Sequence, residues 1–308
     1  MINCRAAAAA LGAVLALTAC SKGQVATPAH PNSGPGTSTQ AQLVSLLEGA
    51  RSRAAAEKTA HFTQTVTITA ASGAAHTISI NGAMDVPSHR IGMTFNLPGM
   101  GDMEAVLDGT IIYEKIPQIA SMLAGTPWFK IDPASLKKLA GGGQFGPFLA
   151  SLDSLLKQAE TQDPTSGLSL LAGVSGPVTT VGPETVRGVA TTHYRFEVDS
   201  AKALAKLPAD AQAAIKSFTA QLGITTTPME AWIDAEGRIR KVHATIDTSK
   251  STASPSPLLS GLPATALPKS TELTMELFDY GAPVSIPLPA ADQVTDFGAA
   301  LSQLGGSS

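Results

Sequence analysis

A chain of 308 residues with a formal charge of −3 and 15% charged side chains carries no basic excess, which argues against nucleic acid as a partner. Its two cysteines, Cys4 and Cys20, both lie near the N-terminus, so the remainder offers no disulfide, cysteine nucleophile or thiolate metal site. The length exceeds a typical domain of about 100–200 residues, yet suits one large β-rich domain held together by core burial alone.

The chain opens with one basic residue, Arg5, and an apolar run over 6–17. That run is shorter than the roughly 20 residues needed to span a bilayer, but it has the length of a signal-peptide core. It closes on Leu17-Thr18-Ala19-Cys20. Small residues ahead of a cysteine at this position resemble the lipobox of bacterial lipoproteins. The resemblance implies that 1–19 is a cleaved signal peptide and that Cys20 becomes the first residue. It also implies a diacylglyceryl group on the Cys20 thiol, with palmitate among the acyl chains, anchoring the protein to the outer face of the cell membrane. Residues 20–39 are rich in Pro, Gly, Ser and Thr without apolar periodicity and read as a flexible tether. One domain is expected over 40–308.

Leu43, Leu46, Leu47 and Ala50 fall at helical spacing, predicting a helix that runs to about 58. A strand follows over 62–69, with Phe62, Val66 and Ile68 on one face and four threonines on the other. Ser72-Gly73 marks a turn. His76, Ile78, Ile80 and Met84 then alternate with polar residues, and after Pro87-Ser88 so do Ile91, Met93, Phe95 and Leu97. A Pro98-Gly99 turn, a strand over 103–107, an Asp108-Gly109 hairpin turn and a strand over 110–115 complete a meander. A short strand is expected over 128–131.

The middle of the chain reads as helical. Asp132-Pro133 has the cap-plus-proline signature of a helix start, and 145–162 and 164–171 have helical spacing. Strands resume at Val178. Over 192–199, Tyr194, Phe196 and Val198 face one way while His193, Arg195, Glu197 and Asp199 face the other. A helix is predicted over 201–222, broken near Pro208. Strands over 229–234 and 238–247 pair around Ala235-Glu236-Gly237, and 251–268 reads as a loop. Leu273, Met275 and Leu277 alternate in a last strand ending at Tyr280-Gly281. Residues 283–289 read as extended, and 290–304 as a closing helix. Consecutive hairpins with helices inserted between two meanders argue an α+β fold with an antiparallel sheet.

Catalytic signatures are missing. Gly141-Gly142-Gly143-Gln144-Phe145-Gly146 matches GxGxxG but follows a helix-like stretch, so it reads as a loop and not a dinucleotide site. There is no GxSxG elbow, and the histidines at 30, 61, 76, 89, 193 and 243 form no HExxH. His193, on the polar side of its strand, reads as solvated. Asp102 with Glu104, and Glu272 with Glu276, share strand faces and read as surface carboxylates. No enzyme activity, cofactor or metal site is expected. Apolar strand faces remain, several carrying methionine (Met84, Met93, Met103, Met275), which fills irregular core space and also adapts to varied ligands, so pattern alone leaves core and cavity both open.

The lipobox, tether, opening helix and Thr-rich first strand resemble the LppX/LprG class of actinobacterial lipoproteins. So do Gly182-Pro183-Glu184-Thr185-Val186-Arg187-Gly188 leading into Thr192-His193-Tyr194-Arg195-Phe196, the Trp232-Ile233-Asp234 hairpin with Gly237-Arg238, and Asp279-Tyr280-Gly281 followed by Val284-Ser285-Ile286-Pro287. That class is similar in fold to LolA and LolB. The resemblance implies a curved antiparallel half-barrel with helices over its concave face, enclosing an apolar cavity for the acyl chains of a lipid or lipoglycan. The expected lining is Phe62, Val66, Ile68, Ile78, Ile80, Met93, Phe95, Leu97, Tyr194, Phe196, Val198, Leu273, Met275 and Leu277. The implied function is carriage of lipid or glycolipid across the envelope, with an envelope transporter or lipid-acceptor protein as partner. The competing expectation is an envelope sensor that docks a protein on the same sheet.

Overall fold

The computed structural model describes residues 39–97, 101–115, 126–132, 173–205, 212, 224–249 and 268–300. Helix α1, Gln40–Ala56, begins at a capping box. The Thr39 hydroxyl accepts from Gln42 N, and the Gln42 side-chain oxygen accepts from Thr39 N at 2.7 Å. Leu43, Leu47 and Ala50 are buried, as the spacing predicts, whereas Leu46, expected on the same face, is exposed. Gln40 also fixes the helix to the sheet: its side chain donates to Val178 O at 2.9 Å and accepts from Val178 N at 2.6 Å.

The first meander comprises β1 (Thr59–Ala70), β2 (Ala75–Asp85), β3 (Arg90–Leu97), β4 (Gly101–Asp108), β5 (Ile111–Lys115) and β6 (Trp128–Ile131). The second comprises β7 (Val174–Val186), β8 (Val189–Asp199), β9 (Thr226–Asp234), β10 (Ile239–Asp247) and β11 (Pro268–Phe278), with a short helix α2 (Ser200–Leu204) after β8. Asp199 caps α2, accepting from Ala201 N and Lys202 N. The last strand is β12 (Val294–Asp296). Among the described residues these strands join one open 12-stranded sheet in the order β12-β6-β5-β4-β3-β2-β1-β11-β10-β9-β8-β7. Every pairing is antiparallel except β12 with β6. The two meanders meet where β11 pairs with β1, bringing Phe62 opposite Leu277.

The turns have the chemistry the sequence gives them. The β7–β8 hairpin turns through Arg187 and Gly188, both left-handed at φ 49° and 79°, which matches strand twist in a two-residue loop. Strand β7 ends the sheet, and its register shifts near Ser175 and Thr180, with Gly176 and Gly182 at positive φ, break up an edge that would otherwise invite pairing.

The C-terminal expectation needs correction. Instead of one helix over 290–304, the chain makes a 3-10 turn (Ala291–Gln293), then β12, and only at Phe297 a helix. Val294 and Thr295 are β-branched and favour the extended form. Asp296 then caps the helix, accepting from Ala299 N at 2.9 Å. Before it, residues 282–290 belong to no helix or strand. Ala282, Val284, Ile286 and Leu288 are half-buried in alternation with exposed Pro283, Ser285 and Pro287. Ile286 lies over Gly92, where an added Cβ would come within 3.0 Å of it.

The expected turn at Pro98-Gly99, the helix expected to start at Asp132-Pro133, those at 145–162 and 164–171, most of 201–222, the glycine-rich 141–146 and the loop at 251–267 lie outside the described residues. So do the leader and tether. Among the described residues no helix is long and apolar enough to cross a membrane.

Candidate ligand-binding face

Opposed residues of antiparallel strands share a face, so register decides which side chains stand together. One row runs from Tyr194 through Ala231, Val242, Met275, Gln64, Ile80 and Phe95 to Met103. The next runs from Leu277 through Phe62, Gly82, Met93, Ala105 and Glu114 to Phe129. Every residue of the expected lining falls on this one face, since Val66 pairs with Ile78 and Leu273, and Phe196 with Met229. Leu97 holds the matching register position, opposite Gly101. Phe62, Val66, Ile80, Met93, Phe95, Tyr194, Phe196, Val198, Met275 and Leu277 are buried, while Ile68, Ile78 and Leu273 are half-buried. Leu43, Leu47 and Ala50 of α1 belong to the same apolar cluster.

Among the described residues two buried polar side chains interrupt this face, Gln64 and Glu114, and the sequence reading passed over both. Gln64 is 3% exposed, and its Oε1 has no hydrogen-bond partner. Glu114 is 4% exposed. Burial alone pushes its carboxyl up to about 7, so a large share is neutral near neutral pH. Strict alternation contained the signal: Gln64 stands between Phe62 and Val66, and Glu114 two residues after Ile112.

The opposite face carries Thr63, Thr65, Thr67, Thr94 and Thr274. His193 corrects the expectation of a solvated ring: it is 5% exposed. Its Nδ1 lies 2.9 Å from Glu184 Oε1 and its Nε2 3.1 Å from Glu230 Oε2, while its ring stacks on Trp232 at 4.1 Å. Trp232 Nε1 donates to Glu184 Oε2 at 2.7 Å, and Arg195 Nε donates to Glu230 Oε1 at 2.8 Å. The Trp232 bond, ahead of His193 and Lys241, holds the Glu184 carboxyl below its ordinary range. For Glu230, burial pushes upward but Arg195 and His193 outweigh it, and the net direction is down.

The motif around Asp234 is architectural as well. Asp234 accepts from Arg238 N at 2.8 Å and Arg240 Nε at 2.6 Å, fixing the β9–β10 hairpin. The Tyr280 hydroxyl donates to Ile239 O, and burial pushes its phenol up. Arg187 donates to Glu276 Oε2 at 2.6 Å and to Thr63 Oγ1 at 3.0 Å, and lies 4.0 Å over Phe278. Asp102 and Glu104 pair with Asn96 and Lys115 on this face. A depression of about 330 Å³ opens beside Phe278, lined also by His61, Phe62, Thr63, Asn81, Gly82, Gly92, Met93 and Thr94. Among the described residues no group of three or more His, Cys, Asp or Glu could hold a metal ion.

No family model matches the chain. It is 31% identical over 190 residues to an uncharacterized 31.2 kDa protein in the rplA-rplJ intergenic region of Streptomyces griseus, covering 61% of this chain and 53% of that protein. The chain thus spans about half the length of the curated relative it matches. Lipoprotein LppX of Mycobacterium tuberculosis superposes with a TM-score of 0.46 at 11% identity, covering 81% of this chain and 100% of its own. LprF of Mycobacterium bovis superposes at 0.43 with 14% identity, covering 80% and 97%.

Proposed function

We propose that this chain is a lipoprotein anchored through Cys20 that binds the acyl chains of a lipid or lipoglycan against the apolar face of its sheet and carries them across the cell envelope. In this reading 1–19 is the signal peptide, 20–39 the tether, and 40–308 one domain whose sheet curves into a half-barrel around the bound chains. The carrying observation is the continuity of that face. Side chains from β8 across β11 and β1 to β5 stand in matched rows, so one apolar surface spans both meanders. Each acyl methylene moved from water to such a surface gains about 0.8 kcal/mol. The anchor holds the domain beside the donor bilayer, and the tether lets it reorient. An envelope transporter or lipid-acceptor protein would receive the cargo.

The test is lipid extraction and mass spectrometry of the full chain purified from membranes in mild detergent, beside Met93→Arg and Met275→Arg. Bound lipid in the wild type, absent from folded arginine variants, supports the reading. A lipid-free wild type, or unfolding of both variants, counts for an ordinary packed core, where an unpaired buried charge is very costly.

A further inference from the structure

The depression of about 330 Å³ on the threonine-bearing face is near the lower end of the volumes at which pockets take small ligands. Register sets its walls. Thr63, Asn81 and Thr94 stand opposite one another across β1, β2 and β3. Two residues along the same strands, Phe278, His61, Ala83 and Gly92 form a second row that begins on β11. In the row between them Phe62 and Met93 turn their side chains to the apolar face and Gly82 has none, so backbone floors the depression.

Its aromatic side is ordered and its polar side is uncommitted. The His61 ring stacks on Phe278, centroids 5.8 Å apart and planes 21° from parallel, and the Arg187 guanidinium lies 4.0 Å over Phe278. Arg187 reaches this place from the β7–β8 turn at a left-handed φ of 49°, a conformation costly for a side chain of its size and one that collects at functional sites. Beyond His61 the row falls away to Ala83 and Gly92. His61 Nδ1 is buried without a hydrogen bond, the Asp279 carboxylate standing 3.6 Å away. Asn81 is exposed, and its carboxamide bonds no described residue.

Charges of both signs border the depression, Arg187 with Glu276 on one side and Asp279 by His61, so neither an anion nor a cation is favoured. The groups left to bond are neutral and can both donate and accept: the Asn81 carboxamide and the Thr63 and Thr94 hydroxyls. They suit a ring with an apolar face and a hydroxylated edge. We propose that this depression is a carbohydrate site for a neutral, all-equatorial hexopyranose unit. The axial C–H face of the sugar lies on the backbone floor and the His61 ring, and its hydroxyls bond Asn81, Thr63 and Thr94. The site is on the face opposite the proposed acyl-chain surface and does not depend on what that surface binds.

The test uses full chain purified in lauryldimethylamine oxide, a detergent without a sugar. Two probes are compared by saturation-transfer NMR: methyl β-D-glucopyranoside, whose ring substituents are all equatorial, and cyclohexylmethanol, a six-membered ring without the ring hydroxyls. Transfer to the glucoside is strongest at its axial ring hydrogens. Its dissociation constant rises roughly 3- to 10-fold in His61→Ala, which loses the stacking ring, and in Asn81→Ala, which loses hydrogen bonds. Thr67→Ala, on the same face outside the depression, leaves it unchanged. The exposed Asn81 side chain supports no other group, so Asn81→Ala keeps the wild-type unfolding midpoint and settles the outcome should His61→Ala fail to fold. No transfer to the glucoside in the wild type overturns the proposal, as does a dissociation constant unchanged in both variants. Cyclohexylmethanol binding as tightly as the glucoside overturns the carbohydrate assignment and makes the depression a socket for an apolar side chain of a partner protein.

Discussion

His193 lies flat against Trp232, ring centroids 4.1 Å apart and planes 10° from parallel, and both rings bond the one carboxylate of Glu184. This ties edge strand β7 to β8 and β9 through side chains, where the β7 ladder is interrupted by register shifts. The role is structural, so His193→Ala is expected to lower stability by about 1–3 kcal/mol in urea unfolding. Lipid retention should stay within a few-fold of wild type. Complete loss of binding with folding intact would give His193 a direct role in function.

The same cluster sets an acid limit. Glu184 and Glu230 have carboxyls below the ordinary value of 4.5 in the folded chain. Their contribution is present above that value and is lost as pH falls through the lower folded values. Glu184→Gln should therefore weaken the loss of stability below pH 4.5, read from thermal unfolding across pH.

Glu114 behaves in the opposite sense. Its carboxyl rises from 4.5 to about 7 on folding, so between these values the folded chain binds more protons than the unfolded one. Stability then falls as pH rises through that window, by about 3 kcal/mol at 1.36 kcal/mol per unit. Glu114→Gln should flatten this slope. A slope unchanged in the variant would place its origin elsewhere.

Gly82 is opposite Phe62, and a Cβ there would run into the Phe62 ring and come within 2.6 Å of Gly92 O. Backbone cannot yield as a side-chain tip can, so Gly82→Ala is expected to destabilise by about 1–3 kcal/mol. Denaturant midpoints check this.

Cys20→Ala should release the protein from the membrane fraction and abolish labelling by a palmitate analogue. Labelling that persists in the variant would refute the lipobox reading.

Much of the sheet was legible because one face is buried and the other is not. Threonines opposite Phe62, Val66 and Ile68 announce β1 and its orientation, and the same alternation announces β2, β3, β8 and β11. Alternation does not say which strands meet, so the pairing of β1 with β11 across the chain was out of reach. Nor does it say what covers a face: His193 was placed on the correct side but read as solvated, because Glu184 and Glu230 arrive from other strands. Gln64 and Glu114 were missed because a polar residue in an apolar row looks like noise until register shows its neighbours. Strand β12, Val294–Asp296, is too short to show a period.

The most direct measurement of the central claim is photolabelling of the full chain in detergent with a diazirine palmitate, followed by peptide mass spectrometry. Adducts are expected on the apolar face, at Met93, Phe95, Met103 and Met275, competed away by unlabelled lipid. Adducts confined to the threonine-bearing face, around Thr63, Thr94 and Phe278, or none that lipid competes for, would contradict it.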